Sequence, residues 1–207
     1  MTRRVVTYAG RMTRWAPDAR GRLQRAAVDL FTEQGFAATT VPQIAERAGL
    51  TTRTFFRHFA DKREVLFAGD DIPDDAAVLM RDAPAGLPPL DLARDRLRLV
   101  AETTFEGHRS EVRRVRAIIE SDEALQERDL KKRAALAAVL RTGFTDRGED
   151  ATTAAVAADL TVTVLHVALE RWLDDPADDA AARPLADVIG DVLDASAALL
   201  GRVPAPG

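Results

Sequence analysis

The sequence contains no cysteine, which excludes disulfides and thiolate metal sites and is compatible with a reducing compartment. Aromatic side chains make up only 5% of the chain and runs of β-branched residues are few, so the material for half-buried strands is missing. No alternating apolar and polar stretch occurs anywhere. Nothing approaches the roughly 18 consecutive apolar residues of a membrane span. Arg3 and Arg4 are followed by no apolar stretch of the kind a secretory signal carries. No membrane partner and a cytoplasmic location are therefore expected. Catalytic signatures are also missing: there is no His-Glu-x-x-His, no Gly-x-Ser-x-Gly and no phosphate-binding glycine loop. His108 and His166 have no partners at metal-ligand spacing. No metal, cofactor or catalytic residue is expected.

Alanine, leucine, arginine and aspartate are abundant, with 46% hydrophobic and 30% charged residues over 207 positions. That mixture favours helices around a sizeable core, in one compact unit or two small domains. The net charge of −4 is the wrong sign for a nucleic-acid partner, but it is unevenly spread. Residues 1–63 hold twelve Lys and Arg against five Asp and Glu, whereas the remainder holds seventeen against twenty-eight. A basic front end on an acidic body concentrates positive potential at one end and discourages DNA from lying on the rest.

Residues 1–17 lack periodicity and carry Arg3, Arg4, Arg11 and Arg14, the pattern of a flexible basic arm. From Pro17-Asp18 the apolar spacing turns helical: Leu23, Ala26, Ala27, Leu30 and Phe31 share one face, with Gly35 as the stop and Phe36 as its apolar contact. Thr40-Val41-Pro42-Gln43 matches a capping box and opens a short second helix, which Gly49 ends. Thr51 caps a third helix running to about Phe59. Asp61 is placed to cap a fourth helix beginning at Lys62, which Pro73 and the acidic residues around it are expected to end or kink. After a break at residues 84–89, helical segments are expected at 90–107, 109–120, 122–146, 151–174 and 184–200.

The second and third helices, joined at Ala48-Gly49-Leu50, have the geometry of a helix-turn-helix. Gly49 allows the tight turn, Ile44, Ala45 and Leu50 fix the angle, and the following helix can enter a major groove. The start of that helix offers Thr51, Thr52, Arg53 and Thr54. Short hydroxyls suit phosphates and base edges, and an arginine can donate two hydrogen bonds to guanine. Phe55 and Phe59 should face inward, leaving Phe56, Arg57 and His58 on the flanks. Lys62 combines a side-chain charge with exposed backbone N–H groups, the make-up of a phosphate clamp.

Residues 20–67 resemble the DNA-binding domain of the TetR family. The resemblance is carried by Thr40-x-x-x-Ile44-Ala45-x-x-Ala48-Gly49 and by Thr54-Phe55-Phe56-Arg57-His58-Phe59-x-x-Lys62, within the run from Ala38 to Leu66. It covers about a quarter of the chain; the rest is similar only in length and helical character. The resemblance implies that Thr40 caps the second helix near a phosphate and that Thr52 and Arg53 reach base edges. It implies that Thr54, Phe56 and His58 contact the DNA backbone and that Lys62 clamps a phosphate. Phe56 stands where tyrosine is common, and Pro42 stands where some members place a base-reading side chain.

The implied fold is all-α: a basic arm over 1–17, a three-helix DNA-binding domain over 18–67, and a helical regulatory and dimerisation domain over 68–207. The implied function is a transcriptional regulator, a homodimer on double-stranded operator DNA, released by a small-molecule effector. The alternatives are a DNA-binding regulator or architectural protein without an effector, and an all-helical enzyme. Ala155, Ala158, Val162, Leu165, Leu169 and Trp172, with Leu185, Val188, Ile189, Val192, Leu193, Ala197 and Leu200, form stripes suited to a dimer face or an internal core. Phe105, His108, Ile118, Phe144, His166 and Trp172 are candidate lining groups for an effector pocket.

Overall fold

A computed structural model describes residues 18–67, 71–177, 179 and 181–200; the expected basic arm and Leu200 as a packing side chain lie outside what it describes. The described residues are helical, with no strand among them. Helix α1 spans Ala19–Gln34, α2 Val41–Arg47, α3 Thr52–His58, α4 Asp71–Arg81, α5 Pro89–Val100, α6 Arg109–Glu120, α7 Glu123–Asp146, α8 Ala151–Asp174 and α9 Leu185–Leu200.

The first three helices begin and end where local chemistry dictates. The Asp18 carboxylate accepts from the Gly21 N–H at 2.8 Å, satisfying one orphan donor of the first turn. Gly35 stops α1 with φ +84°, a conformation in which a Cβ is disfavoured. Phe36 then folds back edge-on against Phe31, with ring centroids 5.1 Å apart. At α2, the Thr40 N–H donates to Gln43 Oε1 at 2.8 Å and the Gln43 N–H donates to Thr40 Oγ1 at 3.4 Å. That is the reciprocal capping box anticipated from the sequence.

The fourth helix departs from expectation. Only a single 3-10 turn, Glu64–Leu66, follows Lys62. Asp61 Oδ1 accepts from the N–H groups of Arg63 (2.7 Å) and Glu64 (3.1 Å), which closes that turn. Pro73 lies in the first turn of α4 rather than at a helix end, because there the N–H it lacks would have no intrahelical acceptor. Helix α5 continues into a wider π turn, Ala101–Phe105, closed by the Glu106 N–H on the Ala101 carbonyl at 3.0 Å.

The chain divides into two compact units. One holds α1 to α3, the Glu64–Leu66 turn and residues 110–134; the other holds residues 75–109 and the described residues from 135 to 200. Residues 110–134, expected with the C-terminal body, thus belong with the N-terminal helices. Ile118, Ile119 and Leu125 join a core of Leu23, Leu30, Phe31, Ile44, Phe55, Phe59 and Val65. Each fully buried side chain of this size contributes roughly 1.5–3 kcal/mol.

The second unit has its own core, in which Met80, Leu92, Leu140 and Phe144 meet Ala154, Ala157 and Ala158 of α8. Gly143 allows close approach: a Cβ there would lie 2.9 Å from the Met80 Cβ. Arg109 ties down the end of α8. Only 3% exposed, it donates to the carbonyls of Trp172 (2.9 Å), Ala177 (2.8 Å) and Asp175 (2.5 Å), groups that a helix C-terminus otherwise leaves unsatisfied.

Helix α8 is long and apolar enough to cross a bilayer by length and composition, although its apolar run is interrupted. Its stripe of Ala154, Ala158, Thr161, Val164, Ala168 and Trp172 is buried, and it packs on α5 and α9, as a core helix does. Of the two roles open to the stripes of α8 and α9, internal core accounts for part. Ala158, Trp172, Leu185, Val188, Ile189, Val192 and Leu193 are buried within the unit. Ala155, Leu165 and Leu169 remain partly exposed, Ala197 is exposed, and Val156 and Leu199 are exposed large apolar groups.

Candidate nucleic-acid interface

Helix α3 is held from three sides. Phe55 and Phe59 are buried, with centroids 5.4 Å apart, and fix its inner face. Gly49 turns the chain between α2 and α3 with φ +64°, and the Leu50 N–H closes the elbow on the Ala45 carbonyl at 2.8 Å. The Arg22 guanidinium reaches from α1 to donate to the Ala48 carbonyl. A Cβ at position 49 would lie 2.8 Å from Arg22 Nη2, so the positive φ favours glycine there and a larger residue would displace the Arg22 guanidinium. On the outer side, Arg47 and Glu33 form a two-pronged ion pair at 2.9 and 2.8 Å that links α2 to α1.

This framework leaves a defined set of groups facing outward. Thr51 caps α3, its Oγ1 accepting from the Thr54 N–H at 3.2 Å and lying 3.0 Å from the Thr54 hydroxyl. Thr52 and Thr54 are half-buried at the helix start, and Arg53 is exposed between them. No described residue is a hydrogen-bond or ion-pair partner of Arg53. Phe56 is 55% exposed, in edge-to-face contact with Phe55. His58 is half-buried, 3.5 Å from an Arg57 nitrogen. Burial, followed by the nearby charges of Arg57 and Arg20, holds its imidazole below the usual histidine range. Thr40 lies exposed at the start of α2, its hydroxyl within the capping box.

Lys62 differs from its expected role. Its ammonium donates to the carbonyls of Phe36 (2.6 Å) and Thr39 (2.8 Å) and sits 4.1 Å from the centre of the Phe36 ring. Burial lowers its pKa. The N–H groups of Arg63 and Glu64 that follow it are taken by the Asp61 carboxylate. Lys62 instead braces the loop entering α2. Thr39, 1% exposed, completes that brace by donating to the Gly35 carbonyl at 2.8 Å. Thr39, Arg22 and the bracing role of Lys62 escaped the sequence reading because their partners are backbone carbonyls, which leave no residue-specific trace.

The six candidate pocket residues have the following surroundings. Ile118 is buried in the core of the N-terminal unit. Phe144 is buried in the second core. Trp172 is buried and donates its indole N–H to the Arg183 carbonyl at 3.1 Å. His166 is ion-paired with Glu170 at 2.9 Å on α8. Phe105 is half-buried in the π turn, and His108 is exposed. A groove of about 590 Å³ between α5 and α9 is lined by none of these six. It is polar, and its arginines are neutralised locally: Arg94 by Asp194 (2.5 Å), Arg98 by Glu102 (2.8 Å) and Arg183 by Asp191 (2.9 Å).

Comparison with known proteins agrees with this geometry. Residues 23–68 match the family described as bacterial regulatory proteins, tetR family. The HTH-type transcriptional regulator TcmR of Streptomyces glaucescens is 40% identical over 89 residues, covering 42% of this chain and 39% of that protein. The HTH-type transcriptional repressor Rv3405c of Mycobacterium tuberculosis is 32% identical over 111 residues, covering 52% of this chain and 58% of that protein. The chain therefore spans less than two thirds of the length of either relative. Among solved structures, NalD of Pseudomonas aeruginosa, the secondary repressor of the MexAB-OprM multidrug efflux pump, superposes with a TM-score of 0.57 at 20% identity, covering 86% of this chain and 92% of that one. The fold is thus shared well beyond the N-terminal helices. The matched residues include the capping box, the glycine elbow and the paired phenylalanines of α3, and over residues 23–68 this chain is similar to the bacterial regulatory proteins of the tetR family.

Proposed function

We propose that this protein is a cytoplasmic transcriptional repressor that binds operator DNA as a homodimer and is released by a small-molecule effector. The observation that carries the reading is Arg53: an exposed guanidinium with no hydrogen-bond or ion-pair partner among the described residues, at the start of a helix whose opposite face is locked by Phe55 and Phe59. An arginine so placed is suited to guanine in a major groove. Thr40, Thr51, Thr52, Thr54, Phe56 and His58 surround it as candidates for phosphate and base-edge contacts, and Lys62 supports them indirectly. The relatives named as repressors favour repression over other modes of control.

Dimerisation would set two such helices about one turn of DNA apart, roughly 34 Å. The outward apolar residues Val156 and Leu199, with the partly exposed Ala155, Leu165 and Leu169, are the candidate dimer face. An effector that favours a different spacing of the two heads lowers operator affinity by the difference in its affinity for the two states. The test is selection from a random duplex pool with the purified protein. Enrichment of a near-palindromic site bound by two chains is expected. Retention of unrelated sequences in proportion to their abundance would overturn the reading.

A further inference from the structure

The groove between α5 and α9 is lined by residues of one compact unit alone. Its volume of about 590 Å³ is in the range of sites for small organic molecules and larger than a bare ion fills. Five carboxylates and three guanidiniums line it. Each guanidinium is paired with one carboxylate, leaving Glu106 and Asp187 over, so the groove carries two net negative charges. Asp187 lies in the first turn of α9, where the helix dipole favours a carboxylate. Glu106 has no such support. It follows the π turn Ala101–Phe105, its Oε1 is closed off from solvent, and no described residue donates to that oxygen. A carboxylate partly stripped of water and left unpaired is costly. A cation that reaches it gains more than the same contact would give in bulk water.

The opposite wall leaves room for such a guest. Gly190 lines the groove from within α9. Glycine weakens a helix interior relative to alanine, and packing does not demand it here: an added Cβ would meet only Arg94 Nη1, at 3.6 Å, an ordinary contact. The space above Gly190 is therefore part of the groove rather than of the core. Pro184 and Ala186 add apolar surface beside it. No group of carboxylates or histidines among the described residues has the arrangement to hold a metal ion. We propose that this groove binds a small organic cation, an ammonium or amidinium on a partly apolar body, with its charge against Glu106 and its body over Gly190. The N–H groups of the cation supply the donors that Glu106 lacks, and its charge offsets the surplus of carboxylates. The three internal ion pairs keep the neighbouring arginines from competing for an anion. This goes beyond the operator reading and does not depend on it.

The test is titration calorimetry of the full-length protein with benzamidine, agmatine and spermidine, and with benzoate, which has the shape of benzamidine and the opposite charge. Saturable binding of a cationic probe is expected, with benzamidine bound and benzoate not. Glu106→Gln keeps the shape of the side chain and removes its charge; affinity for the cation should fall about tenfold or more, the worth of a hydrogen bond to a charged group. Gly190→Leu fills the space from the other wall and should abolish binding while the thermal midpoint is kept. Asp146→Asn removes an exposed negative charge at the end of α7, outside the groove, and should bind as the wild type does. Failure of all three cations to bind the wild type would overturn the proposal, as would benzoate binding more tightly than benzamidine. Wild-type affinity in Glu106→Gln or in Gly190→Leu would overturn it too. An equal loss in Asp146→Asn would do the same, because the attraction would then belong to the net charge of the protein and not to this groove.

Discussion

Replacing Gly49 with alanine should strain the elbow between α2 and α3 in two separable ways. The first is the backbone: φ is +64°, where an L-residue costs about 1–2 kcal/mol. The second is space: the new Cβ would meet Arg22 Nη2 at 2.8 Å, so the guanidinium must retreat from the Ala48 carbonyl. A hydrogen bond from a charged donor contributes about 1.5–3 kcal/mol; the half-exposed setting places this one at the lower end. Gly49→Ala should therefore cost about 2.5–3.5 kcal/mol in total, and Arg22→Ala alone about 1.5 kcal/mol. With Arg22 already removed the steric component disappears, and the glycine substitution should cost only its backbone share, about 1–2 kcal/mol. Urea unfolding of the four proteins completes the cycle, with equal slopes confirming that midpoints report stability. Strictly additive costs, or a Gly49→Ala loss below about 0.5 kcal/mol, the size of an ordinary surface substitution, would refute the argument.

Three further outcomes follow from other parts of the chain. His58 is held below its ordinary pKa by burial and by Arg57 and Arg20. A DNA phosphate beside it would raise that value, so binding takes up a proton and operator affinity should rise as pH falls from about 7 to about 5.5. The linked stability of the free protein runs the other way, falling as pH drops through the unfolded-state value near ~6.5. Affinity measured against pH for wild type and His58→Gln checks this, the variant being expected to lose the His58 share of the slope. Arg109→Met leaves three carbonyls, one in the last turn of α8 and two just beyond it, without their donor and should cost about 3–5 kcal/mol by denaturant unfolding. Gly143→Ala gains about 1 kcal/mol in helix propensity but must displace Met80, at about 1–3 kcal/mol, for a net loss near 1 kcal/mol in the same assay.

The architecture was largely legible in the sequence because its punctuation is local. Gly35, Gly49, the Thr40-Gln43 pair and Thr51 each act within a few residues, so the bounds of α1, α2 and α3 could be read directly. Helices α6 to α9 were equally visible from apolar spacing and from Gly148. The 62–81 region was misread because the sequence offered two valid roles for Pro73, helix end and first turn, and only the closing of the Glu64–Leu66 turn distinguishes them. Periodicity marked which residues of α8 and α9 are apolar, but not whether they pack within the chain or outside it. The same gap misplaced Ile118 among pocket candidates: its apolar face is real, yet the surface it meets belongs to Leu23 and its neighbours, nearly a hundred residues away in sequence. Lys62 was expected at a phosphate and nothing in the sequence marked Glu64, since burial and partners distant in sequence are properties of the folded chain alone.

The most direct measurement of the central claim is the affinity of Arg53→Ala for the duplex selected by the wild-type protein, at fixed salt, beside a set of single-base variants of that duplex. A loss of about 1–3 kcal/mol, with preference relaxed at one base pair of each half-site and retained elsewhere, is the predicted result. Wild-type affinity and undiminished selectivity in the variant would contradict the assignment of α3 as the reading helix.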